Sequence, residues 1–308
     1  MSPSSQRSVL ITGCSQGGAG NALALEFASR GLRVFATARS LTSLTNLTEK
    51  GIEIFTLDVT VPKSIAALKE EITKRTAGKL DILYNNAGVM YEAPAIEADP
   101  ARVRKMFDSN VFGLFEVVAA FAPLIVAAVS GASATPTIVN VSSVIANVPI
   151  PFSSAYNASK AAVCSYSDTL RLEMSPLGVR VMTLFMGEVS TALMSTEAIN
   201  FGPESIYADV EHKVKERTTR HFKVSMTADA FAKQVIPKVL DNNGRSSIWK
   251  GTNAFVIWLL HTIGAQSAFD LIVKGGVGFD DKSLVKKIYE RGQQLAKQSL
   301  EVKVEHGT

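Results

Sequence analysis

Tyr156 and Lys160 lie four positions apart in Tyr156-Asn157-Ala158-Ser159-Lys160, a spacing that puts both side chains on one face of a helix. A free phenol has a pKa of about 10 and is a poor base near neutrality. A neighbouring ammonium favours the phenolate and lowers that value. A tyrosine so placed can give a proton to a carbonyl oxygen as a hydride reaches the carbon, or remove one in the reverse direction. The same spacing also describes a plain surface pair, so the surrounding sequence has to decide between the two.

A second group of residues could hold the hydride carrier. Ile11-Thr12-Gly13-Cys14-Ser15-Gln16-Gly17-Gly18-Ala19-Gly20 follows a short apolar run and precedes a helical pattern. Glycines there permit positive φ and close approach of the backbone to a pyrophosphate, while the helix start offers free N–H groups and the positive end of its dipole. A glycine cluster alone fits a bare turn as well, and its place between a first buried strand and a helix favours the nucleotide. The next apolar run ends in Ala36-Thr37-Ala38-Arg39, with no Asp or Glu between Phe27 and Thr48. An acidic residue there would bind the ribose 2′-hydroxyl of NAD, whereas Arg39 can pair with a 2′-phosphate. The expected cofactor is therefore NADPH in preference to NADH, the alternative being a solvated surface arginine.

The elements that must position these groups follow from periodicity. Short apolar runs at 9–11, 34–36, 52–57, 82–84, 138–141 and 179–184 read as strands, separated by helical patterns at 63–75, through 115–126 and at 155–172. That alternation predicts an α/β fold of the Rossmann type, a doubly wound parallel sheet in a single domain. Its core spans about 8–250. A mixed polar segment at about 191–225 is expected to be a substrate lid, because ligands bind outside the carboxyl ends of the strands, and a helical extension occupies about 251–308.

Composition excludes several classes. Among 308 residues, 32 Lys and Arg are interspersed with 28 Asp and Glu, so the basic balance lacks the clustered charge of a nucleic-acid surface. Four histidines and two cysteines show no metal-ligand spacing. The polar start and two unpaired thiols suggest a reducing, cytoplasmic setting. Residues 117–159 carry no charge, but Ser, Gly and Pro breaks make them a buried helix, a strand and a loop in place of a membrane span.

Taken together, the turn, Asn85-Asn86-Ala87-Gly88, Asn110, Ser143, and Tyr156 with Lys160 resemble, in that order, the short-chain dehydrogenases/reductases over roughly residues 8–191. The resemblance implies that Tyr156 is the general acid/base and that Ser143 steadies the substrate oxygen, its spacing to Tyr156 favouring it over Ser142. It further implies that Lys160 binds the nicotinamide ribose and tunes Tyr156, and that Asn110 holds a relay water. Asp58 would meet the adenine edge, and Asn86, Ala87 and Gly88 would line the cofactor with Gly13, Ser15, Gly18, Gly20, Gly187, Val189 and Thr191. Two departures stand out. Gly18 and Gly20 fit the family's turn only with one extra residue after Gly13, whereas Gly17 fits the usual register at the expense of Ala19. Met186-Gly187 also replaces the usual Pro-Gly. Thr12-Gly13-Cys14-Ser15, Ala36-Thr37-Ala38-Arg39 and Ile248-Trp249-Lys250-Gly251 are similar to the fungal members of the 1-acyldihydroxyacetone-phosphate reductase and hydroxysteroid dehydrogenase type.

The expected function is reduction of a ketone on a lipid-, steroid- or polyketide-like molecule. Two alternatives remain: a silent NADP(H)-binding sensor or scaffold, and an epimerase or dehydratase on the same fold. The apolar run from Ala254 to Leu260, continued without charge to Phe269, leaves three readings: pocket wall, subunit contact in a homo-oligomer, or interfacial helix on the cytosolic face of a membrane or lipid droplet. Residues 269–273 and 284–289 read as amphipathic helix, with Lys286, Lys287, Glu290 and Arg291 on the wet side.

Overall fold

A computed structural model describes residues 6–264 and 269–305. The expectations placed on Met1–Ser5, on 265–268 within the uncharged tail and on the last three residues lie outside the described residues. Strand β1 (Ser8–Ile11) is wholly buried and feeds α1 (Ala19–Ser29), which Gly31 ends at φ +82°. Strand β2 (Arg33–Ala38), the short α2 (Thr45–Thr48) and β3 (Glu53–Thr56) follow. Helix α3 (Pro62–Thr76) begins with proline, whose missing N–H costs nothing in the first turn, and buries Ile65, Leu68 and Ile72 at helical spacing. After β4 (Ile82–Asn85), Asp99 caps α4 (Pro100–Phe107) by accepting from the Ala101 amide at 2.8 Å.

A π-helical turn, Asp108–Phe112, joins α4 to α5 (Gly113–Val129). Although Pro100–Val129 is long and apolar enough to cross a bilayer, Leu114, Val117, Val118, Phe121, Leu124 and Ile125 are packed in the core. Strand β5 (Thr137–Ser143) leads through a loop to α6 (Ser154–Met174) and β6 (Arg180–Met186). The two-residue strands β7 (Val189–Ser190) and β8 (Met226–Thr227) pair on either side of the segment expected to be a lid, which is built around α7 (Glu211–Val224). Helix α8 (Ala228–Leu240) returns the chain to β9 (Ser247–Lys250), and α9 (Ala254–Ile263), α10 (Asp270–Gly275) and α11 (Lys282–Glu305) complete it.

Seven parallel strands lie in the order β3-β2-β1-β4-β5-β6-β9. The order reverses between β1 and β4, which opens a crevice at their carboxyl ends. Helices α1 and α8 cover one face, and α3, α5 and α6 cover the other. The six expected strands are present. The seventh, β9, went unread as a strand because only Ile248 of its four residues is fully buried.

A third apolar cluster joins lid to tail. Phe152, Ile199, Val210, Val214 and Val277 form it, with Phe201, Tyr207, Phe279, Leu284 and Ile288 against them. Arg291 departs from its expected place on the wet side: it is half-buried, paired with Asp209 at 3.0 Å and donating to the Pro203 and Ser205 carbonyls. Helix α9 instead exposes Phe255, Val256, Trp258, Leu259 and Ile263.

Candidate active site

The polypeptide surrounds a cavity of about 1040 Å³ at the carboxyl ends of the strands. One end is the glycine turn. Gly13 and Gly17 both have positive φ, +74° and +79°, which suits glycine. A Cβ on Gly13 would stand 2.7 Å from the Ala87 Cα, and one on Gly20 would collide with the Gly13 carbonyl oxygen. A Cβ on Gly17 would meet only Ala192, at 3.9 Å. Close packing therefore falls at Gly13 and Gly20, and Gly17 serves the turn's backbone. Gly18 precedes the first turn of α1, which carries neither a side-chain cap nor an acidic residue. Amides left uncapped at a helix start suit a pyrophosphate.

Thr12, outside the residues singled out from sequence, ties this turn to the next loop. Its Oγ1 accepts from the Asn86 and Ala87 amides, each at 3.0 Å, and Asn86 Nδ2 donates to the Gly13 carbonyl at 2.8 Å. Arg39 is exposed and lines the same cavity, as do Ser15 and Asp58. Hydrogen bonds from the Thr60 hydroxyl and amide hold the Asp58 carboxyl below its usual range, helped by the charges of Arg39 and Lys105.

At the other end, α6 turns Tyr156 and Lys160 inward, both buried. The phenol oxygen of Tyr156 makes no hydrogen bond with any described residue, and the residue lines the cavity. Lys160 Nζ donates to the Val141 carbonyl at 3.0 Å. The expected lowering of the Tyr156 pKa does not appear in the chain by itself: burial pushes the phenol upward. Burial also brings the Lys160 ammonium down to about 8. Low dielectric disfavours a charge of either sign, and at Lys160 that effect exceeds the opposing pull of Cys164.

Ser142 is buried and donates its hydroxyl to the Lys160 carbonyl at 2.9 Å, with Cys164 Sγ at 3.0 Å. Ser143 is half-buried and lines the cavity, donating only to the Met186 carbonyl, at 3.3 Å. Of the two, Ser143 has the hydroxyl more readily turned to a ligand. Asn110 sits in the π-helical turn, Oδ1 accepting from the Val89 amide at 2.8 Å and Nδ2 donating to Ser159 Oγ at 3.1 Å. A Cβ on Gly88 would lie 3.2 Å from Asn110 Oδ1 and 3.6 Å from Lys160 Nζ, which brings these three residues together. Asn110 itself does not line the cavity and is tied to Val89 and to Ser159, the neighbour of Lys160.

Gly187, Val189 and Thr191 form part of the wall. At Gly187 a Cβ would meet the Thr252 carbonyl at 2.6 Å, so the altered Met186-Gly187 still requires its glycine. In the lid, Arg217, Arg220, His221 and Val224 face the cavity, as do Ile272, Val273 and Gly276 near the chain's end. No described residue of the run from Ala254 to Phe269 lines the cavity, so its pocket-wall reading does not hold, and the tail reaches the wall through Ile272 and Val273 of α10. Glu92, also at the wall, was not singled out from sequence. Its signal was a lone carboxylate in Val89-Met90-Tyr91-Glu92-Ala93-Pro94, whereas Arg217 was hidden in a charged helix that reads as a solvated face.

The arrangement fits a dinucleotide. One end offers glycine-bounded amides, Arg39 and Asp58, and the other a phenol, an ammonium and a serine hydroxyl. The family model described as short chain dehydrogenase matches residues 7–200. Short-chain dehydrogenase srdE of Neurospora crassa is 38% identical over 88% of this chain and 91% of its own length. The NADPH-dependent 1-acyldihydroxyacetone phosphate reductase of Schizosaccharomyces pombe is 39% identical over 82% and 85%. A short-chain dehydrogenase structure from Streptomyces avermitilis superposes with a TM-score of 0.72 at 25% identity, covering 90% of this chain and 99% of the other. On this similarity and this architecture, the chain belongs to the short-chain dehydrogenase family of oxidoreductases.

Proposed function

We propose that the protein is an NADPH-dependent reductase of a ketone carried on a largely apolar molecule of lipid, steroid or polyketide type. The observation that carries this reading is one continuous cavity, with the uncapped start of α1 and Arg39 at one end and Tyr156, Lys160 and Ser143 at the other. The name of the Schizosaccharomyces pombe relative, an NADPH-dependent reductase, supports the choice of cofactor and direction.

Gly13, Ser15, Gly18 and Gly20 would hold the pyrophosphate, Arg39 the 2′-phosphate, Asp58 the adenine edge, and Asn86, Ala87, Gly88, Gly187, Val189, Thr191 and Lys160 the remainder. When bound, NADPH supplies a hydride to the carbonyl carbon. Tyr156 gives its phenolic proton to the carbonyl oxygen, a role suited to a phenol that burial keeps protonated. The Ser143 hydroxyl donates a hydrogen bond to the same oxygen as charge develops there. Asn110, bonded to Ser159 next to Lys160, would hold the water that relays protons to Lys160.

Titration of nicotinamide fluorescence tests the cofactor assignment. The unmodified protein is expected to bind NADPH more tightly than NADH, and Arg39→Ala to remove most of the difference. A charge-assisted hydrogen bond contributes about 1.5–3 kcal/mol, so the preference should fall by about ten- to a hundredfold. A protein that binds both nucleotides alike before and after the substitution would refute the role of Arg39.

A further inference from the structure

Glu92 lies on the loop between β4 and α4 and is only 7% exposed, yet it lines the cavity. Two donors reach its carboxylate, Ser153 Oγ at 3.2 Å and the Arg217 guanidinium, and both bind the same oxygen, Oε1. Oε2 accepts no hydrogen bond from any described residue. Glu188, the other carboxylate on this side of the cavity, differs: Oε1 accepts from Asn253 at 2.7 Å and Oε2 lies 3.5 Å from His221 Nδ1. Glu92 therefore meets the cavity with one carboxylate oxygen anchored and the other free to accept from a ligand that brings its own O–H.

Charge narrows the ligand further. Glu92 and Arg217 already neutralise each other, with side chains 6% and 17% exposed. A cationic group would face the repulsion of Arg217 and Arg220, and an anionic group at Oε2 that of the Glu92 carboxylate itself. A neutral donor, an alcohol or phenol, would face neither. Position narrows it as well. Ser153 immediately precedes α6, three residues before Tyr156, so the carboxylate it holds lies beside the start of the helix that carries the proton donor. The Ala93 amide fixes the loop by donating to the Phe152 carbonyl at 2.8 Å.

We propose that Glu92, held by Arg217 and Ser153, is a specificity subsite for a hydroxyl group borne by the ketone substrate on the far side of its apolar body from the reacting carbonyl. This rests on the ketone-reductase reading and makes the preferred substrate a hydroxyketone. The hydroxyl donates to Oε2, and the Glu92–Arg217 pair stays intact. Because the contact forms in the ground state and persists during reduction, it acts on KM more than on kcat.

The test uses 2-tetralone and its 5-, 6-, 7- and 8-hydroxy derivatives, which scan the distance between carbonyl and hydroxyl. Dissociation constants are measured on the full-length protein saturated with NADP+, where no reduction can occur, and turnover is followed separately with NADPH. At least one hydroxytetralone should bind tenfold or more tightly than 2-tetralone. Glu92→Gln should bring that ratio below about threefold while leaving the 2-tetralone constant within about twofold. Glu92→Asp keeps the charge opposite Arg217 but withdraws the carboxylate from the cavity, and it should lose the ratio too. Unchanged NADP+ affinity shows that both variants are folded, and a purely structural Glu92 would not move the hydroxyl ratio. The subsite is overturned if no isomer is preferred, if no tetralone binds, or if the preference survives in both variants. Preferred binding without any NADPH oxidation would instead leave the subsite standing and count against the reductase reading.

Discussion

Tyr156 and Lys160 show what spacing conveys and what it cannot. Their i, i+4 relation was readable from sequence, and so was the convergence of Ser143 with them, through its resemblance to the family. The sign of the electrostatics was not, because burial belongs to the folded chain. Desolvation raises the phenol and lowers the ammonium to about 8, so burial shifts each group toward its neutral form, while Lys160 remains mostly cationic at pH 7. At neutral pH the tyrosine then holds its proton, as a donor in reduction must. Lys160 also makes stability depend on pH. Its pKa is about 8 when folded and 10.5 when free, so between those values the unfolded chain binds more protons and stability rises with pH. A shift of this size corresponds to a gain on the order of 3 kcal/mol across the window. Urea midpoints of the unmodified protein should therefore climb relative to Lys160→Met from pH 8 to 10.5. Parallel curves would show that the buried lysine is not desolvated in this way. Glu92 and Arg217 were legible only as ordinary charges, since nothing in their neighbourhoods marks two groups 125 positions apart as partners.

The glycine turn is an element whose register matters more than its composition. Three glycines within four positions allowed two alignments, and sequence favoured Gly13, Gly18 and Gly20. The structure gives that preference a steric content, because a methyl group at Gly20 runs into the Gly13 carbonyl whereas one at Gly17 meets almost nothing. Gly20→Ala is expected to displace the turn and weaken NADPH binding more than tenfold. Gly17→Ala should cost only its positive φ, about 1 kcal/mol of stability, with NADPH affinity nearly unchanged. Fluorescence titration and thermal melts of the two variants separate these outcomes, and a reversed ranking would restore the other register. Most helices and strands were legible because their apolar periodicity is strong. The π-helical turn at Asp108–Phe112, which carries Asn110, leaves no periodic trace of its own. Strand β9 escaped because it is an edge strand with a stacked Trp249 in place of a buried run, its ring 4.0 Å from that of Phe185.

Across the whole molecule, the reversal of strand order places the nucleotide end and the reacting end along one cavity, and residues of α7 line its far side. Lid and tail share one apolar cluster around Phe152, which explains why residues as late as Ile272 and Val273 reach the cavity wall. That union was not foreseen, since the polar lid and the amphipathic tail each read as a separate appendage. In the proposed reaction this assembled cavity passes a hydride from NADPH to a ketone and a proton from Tyr156. The most direct measurement is reduction of 2-tetralone and its hydroxy derivatives with NADPH deuterated at the transferring position, by the unmodified protein and by Tyr156→Phe. The account predicts an alcohol carrying one deuterium on the carbinol carbon. It also predicts a loss of about a hundredfold or more in rate with Tyr156→Phe, at undiminished NADPH affinity. Product free of deuterium would point to epimerisation or dehydration, NADPH binding with no turnover to a sensor or scaffold, and full activity in Tyr156→Phe would contradict the assignment of the proton donor.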